Sequence, residues 1–393
     1  MKDPRFLASM QTQRDELEQK HESIRRWLLA LRTLTGSQLT VDRGLNVMIH
    51  FCSWTGKDPD ALISERVHDL KEDDIRLRSR HEELLMKYFQ TFKSRGTGVG
   101  AMSYVKSFYR HNYLPLQCKI PRAWRVTSEK VPTQGEIRRM MSVSNLRDRA
   151  VIAFLAQSGV RIGTLCRLTY GDISQDLEAG KAPVHIKVMP FQAKGKRAEG
   201  YDTFLGPEAV DALKAYLDSR RRGTRHIEGE LIKPDAPLFR RQLNGDQESI
   251  PISHDSIEQL VTGAAIRANV IEAKKKPGEW SQVRPHVLRK FCQTSLERAG
   301  IPHNWVKRLL GHQLPASEDP YSKPTVEDLR KAYERALPHL ALSDATIELT
   351  AQKETIEELR ARLEKIEAIQ EREYVLAANP RGRPSTGARR RKR

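Results

Sequence analysis

The chain has 393 residues, 38% of them hydrophobic, which is enough for two domains with buried cores and excludes a wholly disordered protein. Its formal net charge of +18 predicts a polyanionic partner, with nucleic acid favoured over a membrane surface. The sequence has no apolar run of roughly eighteen residues and no signal-peptide pattern. We therefore expect a cytoplasmic protein without membrane contacts.

The cysteines indicate neither a zinc site nor a disulfide framework. Cys52, Cys118, Cys166 and Cys292 lie far apart, and none belongs to a C-x-x-C motif. We expect reduced thiols. Cys166 and Cys292 each fall within an apolar helical pattern and are predicted to fill a core.

Residues 1–125 predict an all-helical first domain. Residues 1–32 indicate one helix, and residues 42–53 and 80–93 repeat the helical spacing of apolar side chains. Strand-like alternation is absent before residue 180. The glycine-rich segment at residues 95–100 lacks the lysine and the preceding strand of a phosphate-binding loop, so we interpret it as a flexible turn.

Residues 84–128 contain eight basic residues and no acidic ones, with aromatic residues interleaved. The aromatic side chains are predicted to lie mostly in the core. The basic side chains are expected to contact a nucleic-acid backbone, the alternative being a solvated face. These candidate DNA-binding residues are Lys87, Lys93, Arg95, Lys106, Arg110, Lys119, Arg122 and Arg125.

Residues 126–132 are predicted to be a linker, and residues 133–340 a second domain. Thr133 to Glu136 forms a T-x-x-E capping box that opens a helix. Residues 147–168 are apolar at helical spacing and are interrupted by Ser158-Gly159, so that a new helix begins with Arg161 near its positive end.

A β-hairpin is predicted after residue 180, because apolar and polar residues alternate over 184–188 and again over 201–205. The loop between these strands is basic and contains Lys194, Lys196 and Arg197. Residues 208–222 and 256–273 predict further helices. The expected fold class is therefore mainly α with a small antiparallel β element (α+β).

The end of the chain predicts two further segments. Residues 345–375 carry an a/d heptad pattern, which fits either a short coiled coil or an amphipathic helix docked on the domain. Residues 376–393 are basic and are predicted to be disordered. Within them Arg381 and Arg383 resemble an AT-hook core for a narrow minor groove, the alternative being a generic electrostatic tail.

A basic and imidazole-rich set lies in residues 284–333. His286 and Arg289 are three residues apart and share a helix face, and His312 is followed nine residues later by Tyr321. These groups suit a phosphate, since neither carboxylates nor cysteines recur among them at metal-ligand spacing. With Arg161 as a second guanidinium clamp, Tyr321 would be a nucleophile whose phosphotyrosine ester conserves the bond energy, without metal, cofactor or ATP.

These residues resemble the R…K…H-x-x-R…H…Y signature of the tyrosine recombinase (lambda-type integrase) family. The similarity is carried by SGVRIGTLCRLTYGDI, HVLRK, LLGHQ and the following tyrosine, and covers about residues 130–340. It implies a helical core-binding domain followed by a catalytic domain of the DNA breaking-rejoining fold. The implied activity is site-specific recombination, integrating or excising a mobile element.

The resemblance also assigns roles. Arg161 and Arg289 would hold the scissile phosphate, and His312 would bind one of its oxygens. His286 would be the general acid/base, and Tyr321 would attack to form a 3′-phosphotyrosine. The implied partners are double-stranded attachment-site DNA and three further copies in a synaptic homotetramer. The free protein is expected to be a monomer, and the location to be cytoplasmic and nucleoid-associated.

The resemblance leaves one residue open and departs from many members at one point. The family places a lysine near the hairpin loop, which fits Lys194 best and Lys196 next. The nucleophile lies in a Tyr-x-Lys-Pro segment rather than after a Thr-Thr run, as in archaeal and archaeal-virus integrases. Tyr333 is a competing nucleophile, but its apolar helical stripe predicts a core residue.

Two other functions fit the same residues less well. A type IB topoisomerase shares the catalytic set and relaxes supercoils as a monomer. The other function is a DNA-binding regulator, in which the catalytic residues are inactive relics and the AT-hook-like C-terminal tail binds DNA. The separate helical domain and His312 favour the recombinase over the topoisomerase, and the competent residue at every catalytic position disfavours the regulator.

Overall fold

A computed structural model describes residues 4–122, 128–193, 199–223, 228–241, 249–273, 280–314 and 324–343, together with Leu363 and Ile366. The chain divides into two compact units: unit 1 is Met1–Ser128 with Lys275–Trp280, and unit 2 is Glu129–Lys274 with Ser281–Arg393. Within the described part of the chain, no helix is both long and apolar enough to span a membrane.

Unit 1 is helical, as predicted. Its helices are α1 (Pro4–Lys20), α2 (Glu22–Thr35), α3 (Gln38–Thr55), α4 (Pro59–Asp69), α5 (Ile75–Arg78), α6 (Arg80–Gln90) and α7 (Arg95–His111). The prediction of a single helix over residues 1–32 is wrong, because His21 is extended and separates α1 from α2. Asp60 fixes this break: its carboxylate accepts from the Ser23 amide at 3.0 Å and lies 3.0 Å from His21 Nδ1.

The core of unit 1 is aromatic. Trp27, Phe51, Tyr88, Phe108 and Tyr109 are buried. Three of these lie in the acid-free stretch, where Phe89, Phe92 and Tyr104 also pack partly buried against the core, which confirms a core role for most of its aromatic residues. The ring of Tyr88 packs edge-on against Phe51 at a centroid distance of 4.9 Å, an arrangement that suits the ring quadrupoles. Of the basic residues between these aromatics, Lys87, Lys93 and Arg110 are exposed.

The predicted turn at residues 95–100 is wrong, because this segment is the start of α7. Ser94 caps the helix by accepting from the Thr97 amide. A Cβ at Gly98 would lie 2.8 Å from the Phe89 ring, so glycine permits close helix packing here. Glycine has a low helix propensity, but here the close contact with Phe89 decides the conformation.

Unit 2 contains nine further helices among its described residues. They are α8 (Gln134–Ser142), α9 (Leu146–Ser158), α10 (Ile162–Leu165), α11 (Ser174–Glu178), α12 (Pro207–Arg222), α13 (His254–Arg267), α14 (Pro285–Arg298), α15 (His303–Leu309) and α16 (Val326–Leu340). Both sides of the predicted capping box at Thr133 are present. Helix α13 ends at Arg267 instead of residue 273, since the chain turns at Asn269 with a φ of 54°.

The predicted hairpin is confirmed. Strands β1 (Val184–Val188) and β2 (Tyr201–Leu205) pair antiparallel, with Val184 opposite Leu205 and Val188 opposite Tyr201. The fold class, mainly α with a small antiparallel sheet, is therefore confirmed. Lys194, Lys196 and Arg197 of the connecting loop lie outside the described residues.

The predicted C-terminal segments lie almost wholly outside the described residues. Leu363 and Ile366 are helical, and their exposed fractions are 56% and 54%. The choice between a coiled coil and a docked helix stays open. Arg381 and Arg383 are not described.

Helix α9 lies at the centre of unit 2 and is buried on every side from Ala150 to Ser158. It ends at Gly159, whose φ of 62° favours glycine. A Cβ at Gly159 would lie 2.6 Å from Leu310 Cδ2 and 3.0 Å from Cys292 Sγ, so the chain after α9 approaches α14 and the end of α15 closely. The buried thiol of Cys292 confirms its predicted core role, and Cys166 packs half-buried against the same core.

Candidate active site

Arg289 is a buried cation held by main-chain carbonyls. Only 5% of the residue is exposed. Its Nη1 donates to the Gly159 carbonyl at 2.6 Å, and its Nη2 donates to the Leu310 carbonyl at 2.5 Å. Burial and the neighbouring Arg161 cation lower the pKa of Arg289 to about 10, which leaves the guanidinium charged at neutral pH.

Arg161 lies beside Arg289, although the two belong to distant parts of the chain. It is the N-cap residue of α10, shortly after α9 ends. Its Nη1 donates to the Gly311 carbonyl at 3.0 Å, next to the Leu310 carbonyl that Arg289 uses. The turn after α15 therefore presents two successive carbonyls, one to each arginine.

Neither arginine has a carboxylate partner within the described ranges. The ion pairs of unit 2 involve other basic side chains, such as Arg220 with Glu230 and Arg330 with Asp176. Carbonyl dipoles orient Arg161 and Arg289 but do not neutralise two adjacent positive charges. Because an unpaired charge that is buried or half-buried is costly, this pair of guanidinium groups is a candidate position for an anion. We call Arg161 and Arg289 the arginine clamp.

His312 completes the arginine clamp as a neutral donor. Its Nε2 lies 2.8 Å from Nη2 of Arg289. Burial, followed by the Arg289 and Arg161 cations, lowers the pKa of His312 to about 4. At neutral pH the imidazole is therefore uncharged, and Nε2 accepts from Arg289 while the proton resides on Nδ1.

His286 lies one helical turn before Arg289 on α14 and is exposed. Partial desolvation, followed by the Lys290 cation, lowers the pKa of His286, whereas Glu129 opposes the shift. Glu129 accepts from Arg284 at 2.7 Å and from Lys290, so one carboxylate restrains two cations near the histidine. We did not anticipate Glu129 from the sequence, since nothing local to residue 129 indicates this contact.

Tyr201 is a second residue that sequence patterns did not single out. It is the first residue of β2, and its ring covers Gly311, whose φ is 61°. The Tyr201 hydroxyl is buried close to Arg289. The only local signal was an aromatic residue at the loop end of the predicted hairpin.

The competing tyrosine is a core residue, as predicted. Tyr333 is 1% exposed, and its hydroxyl donates to the Gln157 carbonyl on α9 at 3.0 Å. Burial raises its pKa far above the usual value, which opposes formation of a nucleophilic phenolate. Val326 departs from the predicted apolar stripe and is 37% exposed. Tyr321 and Lys194 lie outside the described residues.

The basic residues of unit 1 divide into two groups. Lys87, Lys93, Arg110, Lys119 and Arg122 are exposed. Two others are half-buried and contact main-chain carbonyls: Arg95 Nε donates to Arg122 O at 2.9 Å, and Lys106 donates to Cys118 O. Arg125 lies outside the described residues. Contact of this set with DNA stays a prediction.

Comparison with known proteins identifies relatives. The sequence profile of the Phage integrase family matches residues 130–327. Tyrosine recombinase XerC of Leptospira interrogans is 26% identical over 221 residues, which are 56% of this chain and 60% of that protein. XerA of Thermococcus kodakarensis is 28% identical over 221 residues, which are 56% and 65% of the two chains. The chain thus spans less than two thirds of the length of these two relatives.

Longer matches and solved structures show the same kind of similarity. XerC of Pelobacter propionicus is 27% identical over 291 residues, which are 73% of this chain and 82% of that protein. The Tn1549 transposon integrase in complex with circular intermediate DNA has a TM-score of 0.47 at 16% identity, covering 80% of this chain and 99% of that chain. The site-specific recombinase XerH bound to difH substrate has a TM-score of 0.44 at 16% identity, covering 79% and 93%.

Proposed function

The chain belongs to the phage integrase family, and on that premise we propose that it is a site-specific DNA recombinase that acts through a 3′-phosphotyrosine intermediate. The matched range includes Arg161, His286, Arg289, His312 and Tyr321. The observation that carries the proposal is the arginine clamp, two adjacent cations held by carbonyls and lacking carboxylates among the described residues.

A phosphodiester under attack is the anion that suits this clamp. Its transition state carries more negative charge on the non-bridging oxygens than the ground state does. Fixed guanidinium groups therefore stabilise the transition state more than the bound substrate, which is the requirement for catalysis. Arg289 is the more rigid of the two, because it is buried and donates to two carbonyls.

The histidines would handle hydrogen bonds and protons. Neutral His312 keeps an Nδ1 proton for a phosphate oxygen, since its Nε2 accepts from Arg289. His286, with its lowered pKa, is mostly unprotonated at neutral pH and would accept the phenolic proton of Tyr321. Both assignments of role are proposals that combine the family signature with these protonation states.

The proposed reaction needs no external energy source. The Tyr321 oxygen attacks phosphorus, a phosphotyrosine bond forms at the 3′ end, and the bond to the 5′ oxygen breaks. A hairpin lysine, Lys194 or Lys196, would give that oxygen its proton. A 5′ hydroxyl of the partner strand then attacks the phosphotyrosine and releases Tyr321, so bond number is conserved and ATP is not consumed.

Double-stranded DNA carrying specific attachment sites is the proposed partner. The exposed basic residues of unit 1, with Lys196, Arg381 and Arg383, would neutralise backbone phosphates. A homotetramer on two paired DNA duplexes, and a cytoplasmic, nucleoid-associated location, are part of the same proposal. Binding should weaken steeply as salt concentration rises, because phosphate contacts release counterions.

The nucleophile provides the direct test. In a substrate nicked close to the cleavage site, cleavage releases a short fragment that carries the 5′ hydroxyl. Without this hydroxyl the phosphotyrosine cannot be resealed, so the covalent protein–DNA complex accumulates and is detected on denaturing gels. We expect Tyr321→Phe to abolish this complex and to keep DNA binding, while Tyr333→Phe still forms it. If Tyr321→Phe still formed the covalent complex and Tyr333→Phe did not, Tyr333 would be the nucleophile.

The alternatives have separate outcomes. Relaxation of supercoiled plasmid without recombination between two cognate sites would indicate a type IB topoisomerase. DNA binding by the wild-type protein without any covalent complex, in the absence of metal and ATP, would indicate a regulator.

A further inference from the structure

Tyr201 connects the hairpin to the arginine clamp. It pairs with Val188 at the loop end of the two strands. Its ring lies so close over Gly311 that a Cβ there would overlap three ring carbons. Because the Gly311 carbonyl accepts from Arg161, the Tyr201 ring supports the turn that orients this arginine.

The hydroxyl of Tyr201 is unusual for a buried group. It is shielded from solvent, and it has no hydrogen bond of normal geometry within the described ranges. The side-chain oxygen of Thr164, which is 0% exposed, is in the same state. Leaving a buried hydroxyl unsatisfied costs roughly 1–3 kcal/mol, so two such groups beside one site require an explanation.

Arg289 supplies the missing partner. A guanidinium has five N–H donors, and the contacts described for Arg289 use three of them. The Tyr201 hydroxyl lies within reach of both Arg289 and Thr164, whose side chains lower its pKa as hydrogen-bond partners, although neither contact has the geometry of a fully formed bond. Burial raises the pKa of Tyr201, which keeps the hydroxyl protonated, able to accept from Arg289 and to donate to Thr164.

We propose that Tyr201, with Thr164 behind it, is a positioning residue for the phosphate clamp. A small movement of Arg289 on binding the scissile phosphate closes a hydrogen-bond chain from Arg289 through Tyr201 to Thr164. The chain fixes the guanidinium in the plane that the transition state requires. Tyr201 acts through Arg289, because its hydroxyl is shielded from solvent and lies next to that guanidinium. This inference rests on the proposed recombinase function.

Tyr201→Phe keeps the ring and removes the hydroxyl. In single-turnover cleavage of the nicked substrate we expect the rate constant to fall roughly tenfold, as for one charge-assisted hydrogen bond made in the transition state. DNA affinity should not change. The isosteric Thr164→Val should give a smaller loss of roughly threefold, since it removes only the second member of the chain. The double variant should match Tyr201→Phe.

Tyr216→Phe is the matched control. This tyrosine is also buried on unit 2, but its hydroxyl accepts from the Arg240 amide at 3.1 Å, outside the clamp. The Tyr216→Phe variant, like Tyr201→Phe, removes one phenolic oxygen from a buried position in unit 2. We expect its cleavage rate constant to equal that of the wild type.

A second substrate separates positioning from general damage. Replacing one non-bridging oxygen of the scissile phosphate by a methyl group removes the charge that Arg289 must stabilise. On this methylphosphonate the difference between wild type and Tyr201→Phe should largely disappear. A defect that persists there, or a Tyr201→Phe rate equal to wild type on normal DNA, overturns the inference.

Two further outcomes, misfolding of Tyr201→Phe and absence of cleavage by the wild type, also have defined consequences for this inference. If Tyr201→Phe does not fold, by circular dichroism, Thr164→Val carries the test under the same two criteria. If the wild-type protein forms no covalent complex, the proposed function fails and this inference fails with it. If the wild type cleaves and only the Tyr201 result is negative, the proposed function stands alone.

Discussion

Two buried arginines, one in each unit, have opposite surroundings. Arg66 in unit 1 is 3% exposed, and Arg289 in unit 2 is 5% exposed. Arg66 forms a bidentate pair with Glu82 at 2.7 and 2.8 Å. Arg289 has carbonyls and a neutral imidazole instead. Equal burial with unequal pairing distinguishes a structural arginine from one that is prepared for an external anion.

The difference does not arise from the unit as a whole. Arg220 in unit 2 is 2% exposed, and its Nε donates to Glu230 at 2.8 Å. It also donates to the carbonyls of Pro237 and Leu238. Unit 2 therefore gives the buried Arg220 a carboxylate partner, whereas Arg161 and Arg289 have only carbonyl and imidazole partners among the described residues.

The largest expected effect is a loss of folding stability when the buried Arg66 of unit 1 is replaced. Arg66→Met should lower the free energy of unfolding by about 3–5 kcal/mol, because Glu82 is left as a nearly buried carboxylate without its partner. Urea denaturation of the full chain measures this change. The control is Arg32→Met, whose bidentate pair with Glu18, at 2.6 and 2.8 Å, lies on the surface, so that its loss should change the free energy of unfolding by less than about 1 kcal/mol. Equal effects of the two variants would contradict the comparison.

The second prediction concerns Arg289→Met. We expect the cleavage rate constant to fall by about 10² to 10³, the loss typical of removing one preorganised transition-state donor. The DNA dissociation constant should change little, since many other phosphate contacts remain. Single-turnover cleavage and a binding titration separate the two quantities. A variant that binds DNA poorly but cleaves normally once bound would show that Arg289 serves binding alone.

The third prediction tests the clamp without DNA. Inorganic sulfate should stabilise the wild-type protein by about 1.4 kcal/mol at ten times its dissociation constant. Sulfate also stabilises proteins through exclusion from their surface, so the quantity to compare is the difference between wild type and Arg289→Met. Thermal unfolding at matched ionic strength measures it. The same sulfate response in both proteins would show that the clamp does not bind anions.

The smallest expected effect is a shift of the pH profile. His286 must be neutral to accept the Tyr321 proton, so cleavage should rise with pH through the lowered pKa of His286. Removing the Lys290 cation in Lys290→Met should raise that pKa and move the rise to higher pH. Glu129→Gln removes an opposing carboxylate and should move it to lower pH.

Lys290→Arg retains the charge and is the control for the pH series. Rates of single-turnover cleavage between about pH 5 and 8, the range in which histidine titrates, measure the midpoint. Shifts of the same sign in Lys290→Met and Glu129→Gln would contradict the electrostatic explanation.

Much of the fold was predictable from local patterns. The capping boxes at Thr133 and Thr325 depend on residues three positions apart, and both are present. The apolar stripe around Tyr333 likewise reports the period of one helix. Patterns failed where distant side chains decide the local structure, as at Gly98, which packs against Phe89, and at His21, where Asp60 holds the break.

The candidate site divides in the same way. The spacing of His286 and Arg289 placed them one turn apart on a helix, as the structure has them. Glu129 carried no local signal, and Tyr201 had only its position at the loop end of the hairpin, because the contacts of both with Arg284 or Arg289 span more than eighty positions. The roles of Lys194 and Tyr321 stay predictions, since both residues lie outside the described ranges.

The amino-acid sequence specifies the charged and nucleophilic side chains, their order along the chain and the family signature they resemble. The tertiary structure decided that Arg161 and Arg289 meet at successive carbonyls, are partnered by a neutral His312 and lack carboxylates in the described part of the chain. The two kinds of information differ in the distance over which the underlying interactions act. Helix caps and periodicity involve residues within one turn, whereas the electrostatics of a buried cation depends on every group packed around it.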